Sequence, residues 1–341
     1  MRFAFTEDQL LFRDAVRELL VKECPPEHVR AAWDNDRSHS PEIWAALAGM
    51  GVVGLTAPES AGGMGLGELD LVLLLEETGR VALPEPLVET GAVAIPLLGE
   101  VEADVAAVWL ARAAAGDAIV ATSFDNSLVL DADVCDVLLA FERNRIALVD
   151  ARHIDLERQA SIDGARHLFE ARWAAKDASV LADGATAGEL TSRAFDRGAL
   201  GTAAQLIGLA ERLLAVTVEY VQEREQFGAP IGSFQAIKHH LADALLAVEF
   251  AKPLVHRAAY SVAFHLATAS RDVSMAKAAA SDASLTVARH ALQCHGAIAY
   301  TVEYDLHMWM KRVWALAGAW GDAPWHRRRV AERVLGPDPA D

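Results

Sequence analysis

Over residues 189–265 apolar side chains return at helical spacing with a single interruption, and that interruption limits what the chain can become. Leu206, Ile207, Leu209, Leu213, Leu214, Val218 and Val221 mark one apolar face, with Glu211, Arg212 and Glu219 between them. The period resumes at Ile237, Leu241, Leu245 and Leu246. Between the two runs stand Gly228, Pro230 and Gly232, which break the backbone. The pattern predicts two long helices joined by a bend. Arg224, Gln226 and Phe227 close the first helix, and Gln235 opens the second. A guanidinium, two amides and an aromatic ring thus meet at one place. Such a set suits a ligand carrying phosphate and a ring. A helix end whose arginine faces water is the competing reading.

The same period continues over 271–295 and 304–335, so the C-terminal half predicts a four-helix bundle with short connections. Residues 6 to about 100 also read as helical. Thr6 with Asp8 and Gln9 suits a helix start, Pro25 and Pro26 end or bend that helix, and Ser40-Pro41-Glu42 opens another. Gly62-Gly63-Met64-Gly65-Leu66-Gly67 is a loop before a helix over Leu69–Gly79. It lacks the preceding strand and the lysine of a phosphate-cradling loop. A helix is expected over 104–116. Short apolar runs at 118–122, 134–141 and 145–150, with another over 165–173, read as strands ending near Gly184. The expected fold is α+β, mostly α. Residues 1–117 form a helical domain, 118–185 a short β domain and 186–341 a helical bundle.

A formal net charge of −17 over 341 residues argues against nucleic acid and anionic membrane as general partners. Arg327-Arg328-Arg329 is the one basic run and reads as a solvated helix face. Cys24, Cys135 and Cys294 have no metal or redox spacing, which fits a reducing cytoplasm. The segment Met1–Glu7 carries no leader pattern, and no long uncharged apolar run predicts a membrane span. His239 and His240 diverge by about 100° on a helix and do not share a metal. His290 and His295 read as structural, and no metal site is expected. Trp309, Trp314, Trp320 and Trp325 predict a packed surface or a subunit interface near the C-terminus.

Three stretches together resemble the acyl-CoA dehydrogenase family. They are Glu223–Lys238, Gly51–Glu59 with Gly62–Leu66, and Gln293-Cys294-His295-Gly296-Ala297-Ile298-Ala299-Tyr300-Thr301-Val302-Glu303-Tyr304. The resemblance implies FAD as cofactor and removal of two hydrogens across the Cα–Cβ bond of an acyl-CoA. It also implies a flavin shared between subunits. One subunit's β domain holds the ring, and a neighbour's bundle holds the pyrophosphate and adenosine. On this chain the second role falls to Arg224, Gln226, Phe227, Gln235, Gln293 and Gly296. Ala297 stands where a second glycine is usual, and its methyl narrows the backbone's approach to a phosphate.

The departures are as informative as the matches. No Gly-Ser-Asp and no Trp-x-Thr, the family's ring-gripping segments, occurs in residues 118–185. The segment that carries the family's catalytic Glu reads Ala319-Trp320-Gly321-Asp322-Ala323-Pro324. The alternative Glu position is Gly198, and Ala199 replaces a substrate-contacting Arg. Asp322 is the weak candidate for a replacement base, one methylene short; no other catalytic residue is expected.

The expectation is a subunit resembling the base-less member of heteromeric (α2β2-type) acyl-CoA dehydrogenases of actinobacterial steroid degradation. Its expected partners are a second such subunit carrying the catalytic Glu, an acyl-CoA with a bulky or steroid-derived acyl group, and an electron-transfer flavoprotein. The alternatives are a scaffold or regulatory subunit without flavin, and a homomeric enzyme using Asp322.

Overall fold

The computed structural model describes residues 4–35, 39–125 and 128–336. Met1–Phe3, part of the segment read for a leader, lie outside the described residues. The chain divides into two compact units, residues 1–74 with 84–198 and residues 75–83 with 199–341.

The first unit begins with α1 (Glu7–Glu23). Thr6 caps it in a reciprocal box with Gln9 and so satisfies two otherwise orphaned amides. After α1 come α2 (Pro26–Asp34), opened by Pro26, and α3 (Pro41–Gly49), capped by Ser40. The glycine loop folds on itself. Gly65 N donates to Ala57 O at 2.9 Å, and Leu66 N to Leu55 O at 3.1 Å. A Cβ on Gly63 would stand 2.2 Å from Ala57 O, so this glycine serves close backbone packing. The loop leads into α4 (Glu68–Arg80). A fully buried π-helical turn, Val88–Ala94, then runs into α5 (Ile95–Gly99), and α6 (Asp104–Ala114) follows.

The middle region holds more strands than the sequence pattern predicts. The strands are β1 (Val120–Phe124), β2 (Val129–Leu130), β3 (Val137–Glu142), β4 (Arg145–Asp150), β5 (Asp155–Gln159), β6 (Leu168–Arg172) and β7 (Ala178–Asp183). They form one sheet in the order β1-β3-β4-β7 and another in the order β2-β6-β5. β3 is buried along almost all of its length and reads as the uninterrupted apolar run of a central strand. β5, with sequence Asp-Leu-Glu-Arg-Gln, shows no such run. Its pairing with β6 holds it, aided by the Arg172–Glu157 ion pair at 3.2 Å.

In the second unit the bundle is formed by α7 (Gly184–Glu223) from residue 199 on, α8 (Gln235–Ala263), α9 (Ala269–His295), α10 (Leu306–Gly318) and α11 (Ala323–Leu335). Two glycines let α4 and α7 cross backbone to backbone there. A Cβ would lie 2.1 Å from Gln205 O at Gly79 and 1.8 Å from Glu76 O at Gly208. Beside the crossing, Lys252 Nζ lies 2.6 Å from Glu211 and His256 Nε2 lies 2.7 Å from Glu76. Burial works against ionisation of Glu211, but Lys252 and Arg80 outweigh it and hold the carboxyl below its ordinary range.

Two expectations are corrected. The run 304–335 is two helices, because Trp320 (φ 56°) and Gly321 (φ 88°) are left-handed and end the ladder. α7 stops at Glu223, so Gln226 and Phe227 do not close a helix. They lie in a hairpin of β8 (Glu225–Gln226) and β9 (Ala229–Pro230). One 18-residue window of α7 is apolar enough to cross a membrane by length and composition, and 72% of that window is buried inside the protein, as in a core helix.

Candidate functional site

The end of the second unit nearest the hairpin collects the residues singled out by sequence. Arg224 begins one turn beyond Tyr220, to whose carbonyl its amide donates at 2.9 Å. The Tyr220 ring stacks on His295, with centroids 4.2 Å apart and planes 21° from parallel. His295 is the last residue of α9, and Gly296 follows it with φ 64° and ψ −138°, a conformation open to glycine. The C-terminus of α7 and that of α9 therefore meet. Helices α8 and α9 run antiparallel, with His240 Nδ1 2.8 Å from His290 Nδ1. Gln235 lies five residues before His240, and Gln293 lies three after His290. This register brings both glutamines to the same end as Gly296. Arg224, Gln226, Phe227, Gln235, Gln293 and Gly296 are all exposed.

The hairpin supplies the sharpest local feature. Gln226 pairs with Ala229, so Phe227 and Gly228 form a two-residue loop, and both are left-handed (φ 55° and 82°). Such a loop favours Asn-Gly, and a bulky residue at its first position is strained. Phe227 is 95% exposed and stands edge-to-face with Phe234, at 6.2 Å between ring centroids. The chain thus holds a large apolar ring in solvent on a strained backbone. Ile231 N donates to Arg224 O at 2.8 Å and anchors the hairpin to the helix end.

The exposed Arg224 guanidinium and the Gln235 and Gln293 amides are groups that can donate hydrogen bonds to an anion. Arg224 makes no ion pair among the described residues. Burial lowers the His295 pKa, while burial and the facing His240 lower that of His290. At most one histidine of the contacting pair carries charge, since the short contact between ring nitrogens needs a donor and an acceptor.

The positions linked to proton abstraction lie elsewhere. Asp322 is exposed and caps α11, accepting from Trp325 N at 2.8 Å. Gly198 and Ala199 are buried in α7. One helical step before them is a group that sequence reasoning missed. Arg197 is buried and donates to Glu68 and Glu100, each at 2.7 Å. Arg193 reaches Glu100 at 2.9 Å. The partners lie far apart along the chain, and no local spacing announces them.

Sequence reasoning also missed Asp131, Asp133 and His167, whose candidate ligand atoms lie within 4.8 Å of one another. The β2–β6 pairing brings them together, with Asp131 N donating to His167 O at 2.8 Å. Nearby, burial first and then Asp136 and Asp133 push the Cys135 thiol up to about 12, so it stays protonated and unreactive.

Known proteins place this architecture. Residues 6–117 match the acyl-CoA dehydrogenase N-terminal domain, and residues 188–335 match the acyl-CoA dehydrogenase C-terminal domain. The acyl-CoA dehydrogenase IpdE2 of Mycobacterium tuberculosis is 34% identical over 308 residues, covering 90% of this chain and 91% of the relative. Among solved structures, a Tcur3481-Tcur3483 steroid ACAD variant aligns with TM-score 0.87 and 25% identity, covering 96% of this chain and 98% of the other. The ChsE4-ChsE5 complex from Mycobacterium tuberculosis aligns with TM-score 0.85 and 25% identity, covering 99% of this chain and 100% of the other. The chain belongs to the acyl-CoA dehydrogenase family, whose cofactor is FAD.

Proposed function

We propose that this chain is one subunit of a heteromeric, flavin-dependent acyl-CoA dehydrogenase and lends the pyrophosphate and adenosine half of an FAD site to a catalytic partner. One observation carries the reading. An unpaired guanidinium, two amides, a glycine-only turn and a strained aromatic ring stand exposed together at the joined ends of α7, α8 and α9. These groups fit the cofactor's anionic half. A Cβ on Gly296 or Gly228 would meet nothing within 4 Å, so a phosphate can approach the backbone at both turns. Arg224 would neutralise the pyrophosphate, Gln235 and Gln293 would orient it by hydrogen bonds, and Phe227 would exchange solvent for a flat ring. Gln226, on the hairpin strand, adds an amide at the rim.

FAD, when bound, supplies the hydride acceptor. This chain's residues bind and orient it. The proton acceptor would come from the partner, because the family's base segment here reads Ala319–Pro324 and Asp322 is engaged as a helix cap. Support for a bulky, steroid-derived CoA thioester comes from the steroid ACAD named above as a structural neighbour. An electron-transfer flavoprotein is the proposed electron acceptor. A cytoplasmic setting fits three buried cysteines outside any disulfide.

The test is to purify the chain alone and together with the product of its neighbouring gene. The expected outcome is a colourless lone chain and a yellow, active complex. A lone chain that is yellow and desaturates a thioester unaided overturns the proposal and favours the homomeric reading through Asp322. Ala297, exposed beside Gly296, favours a second reading, a scaffold without flavin. That reading wins if Arg224→Ala leaves the flavin content and turnover of the complex unchanged.

A further inference from the structure

Lys277 is a large, fully buried titratable side chain of the second unit for which the proposed function has no use. It sits in the middle of α9 with 0% of its surface exposed. Its Nζ lies 3.0 Å from Ser281 Oγ, 3.2 Å from Ala317 O and 3.1 Å from Gly321 O. Two of these acceptors flank Trp320, the strained left-handed residue between α10 and α11. The carbonyl of Trp320 itself is held at 2.9 Å by His326 Nε2 from α11, and His326 is also fully buried. A Cβ on Gly321 would lie 2.9 Å from the Trp325 ring and 3.0 Å from His326, so the turn is packed shut on that side. Asp322 then caps α11. Three successive parts of the turn are therefore tied down by two buried titratable side chains from different helices.

We infer that Lys277 is the positioning residue of the α10–α11 turn: its buried nitrogen holds the carbonyls on both sides of Trp320 and couples opening of the turn to uptake of a proton. The groups facing it set the sign. From α11, Asp322 favours the ammonium form, and His326 opposes it when charged. Arg329 faces His326 rather than the lysine. From α10 comes the Ala317 carbonyl, and from α9 itself Ser281.

Burial drives the Lys277 ammonium down to about 7, with Asp322 pulling it back. Burial also takes His326 down to about 4, so that imidazole stays neutral above mildly acidic pH. In an opened turn the amine returns towards the ordinary lysine value. The open form thus binds the proton more tightly than the closed one. The turn is tightest at alkaline pH, loosens as pH falls from the open-state value towards the closed-state value of about 7, and loosens no further below it. This segment corresponds to the one that carries the family's base, so Lys277 governs where Asp322 and Trp320 are presented.

The experiment is amide hydrogen exchange at Ala319, Trp325 and His326, corrected for intrinsic rates, on the protein as purified and with its partner where one co-purifies. Opening in the wild type should fall by about tenfold or more between about pH 6 and pH 9. Lys277→Met should make the profile flat. Asp322→Asn keeps the cap, because Asn caps helices as well as Asp does, but should move the midpoint to lower pH. A flat wild-type profile overturns the inference. So does an unchanged slope in Lys277→Met, or an unmoved midpoint in Asp322→Asn if the methionine variant does not fold. None of these readouts needs flavin, so they fail or succeed apart from the proposed cofactor role.

Discussion

Two stretches of one helix treat their charges in opposite ways. Near residue 197 of α7, in the first unit, an arginine is buried against two carboxylates from distant segments of the same chain. Near residue 224, where α7 ends in the second unit, an arginine is exposed with no ion pair among the described residues, next to a ring held in solvent. The first cluster is complete in itself, since every charge has found its counterpart within the fold. The second carries strain and exposure with no return inside the chain. The contrast separates architecture from proposed reception: local strain that the chain's own contacts do not offset supports the proposal that something else binds there.

The comparison can be broken most easily at its buried end. Arg197→Ala strands Glu68 and Glu100 without their counterion and should cost about 3–5 kcal/mol in urea denaturation of the chain. Flavin content per folded complex should not change. If it falls with stability intact, the buried cluster belongs to the cofactor's machinery. Arg224→Ala should do the reverse. Loss of one charge-assisted contact, worth roughly 1.5–3 kcal/mol, weakens flavin retention in the complex by about tenfold to a hundredfold, while the melting temperature stays put.

Phe227→Asn sharpens the contrast within a single residue. Asparagine accepts the left-handed turn, so the isolated chain should gain about 0.5–1 kcal/mol by denaturant titration, while the complex loses flavin a few-fold faster. A variant that gains stability and retains flavin equally well would reduce the exposed ring to an accident of the hairpin. The smallest effect is expected at the neighbouring turn. Asp322→Ala should cost about 1 kcal/mol through the lost cap, and Asp322→Asn almost nothing. Loss of turnover in the Asn variant, with stability kept, would instead make Asp322 the base.

Much of this was legible along the chain because it is periodic or local. Helical spacing over 189–265 places α7 and α8, and Thr6 and Ser40 announce their caps. The bend rich in glycine and proline locates the exposed end, and the motif residues around it carry the family resemblance. β5 was not legible, since its five residues alternate no apolar face and hold their shape through a neighbour. Nor was the break at Trp320. An isolated glycine such as Gly321 is tolerated within a helical pattern, and here buried side chains of α9 and α11 decide the matter.

What the amino-acid order determined by itself was the class of fold, the helices and the identity of the groups at the α7–α8 bend, because backbone preference and apolar period act over a few residues. Tertiary structure alone decided that Gln293 and Gly296 share an end with Arg224 and Gln235. It also decided that Phe227 turns left-handed into solvent, and that Arg197 and Lys277 vanish into the interior. Those outcomes depend on antiparallel register and on partners remote in the chain, and burial and charge pairing are settled only when such segments meet.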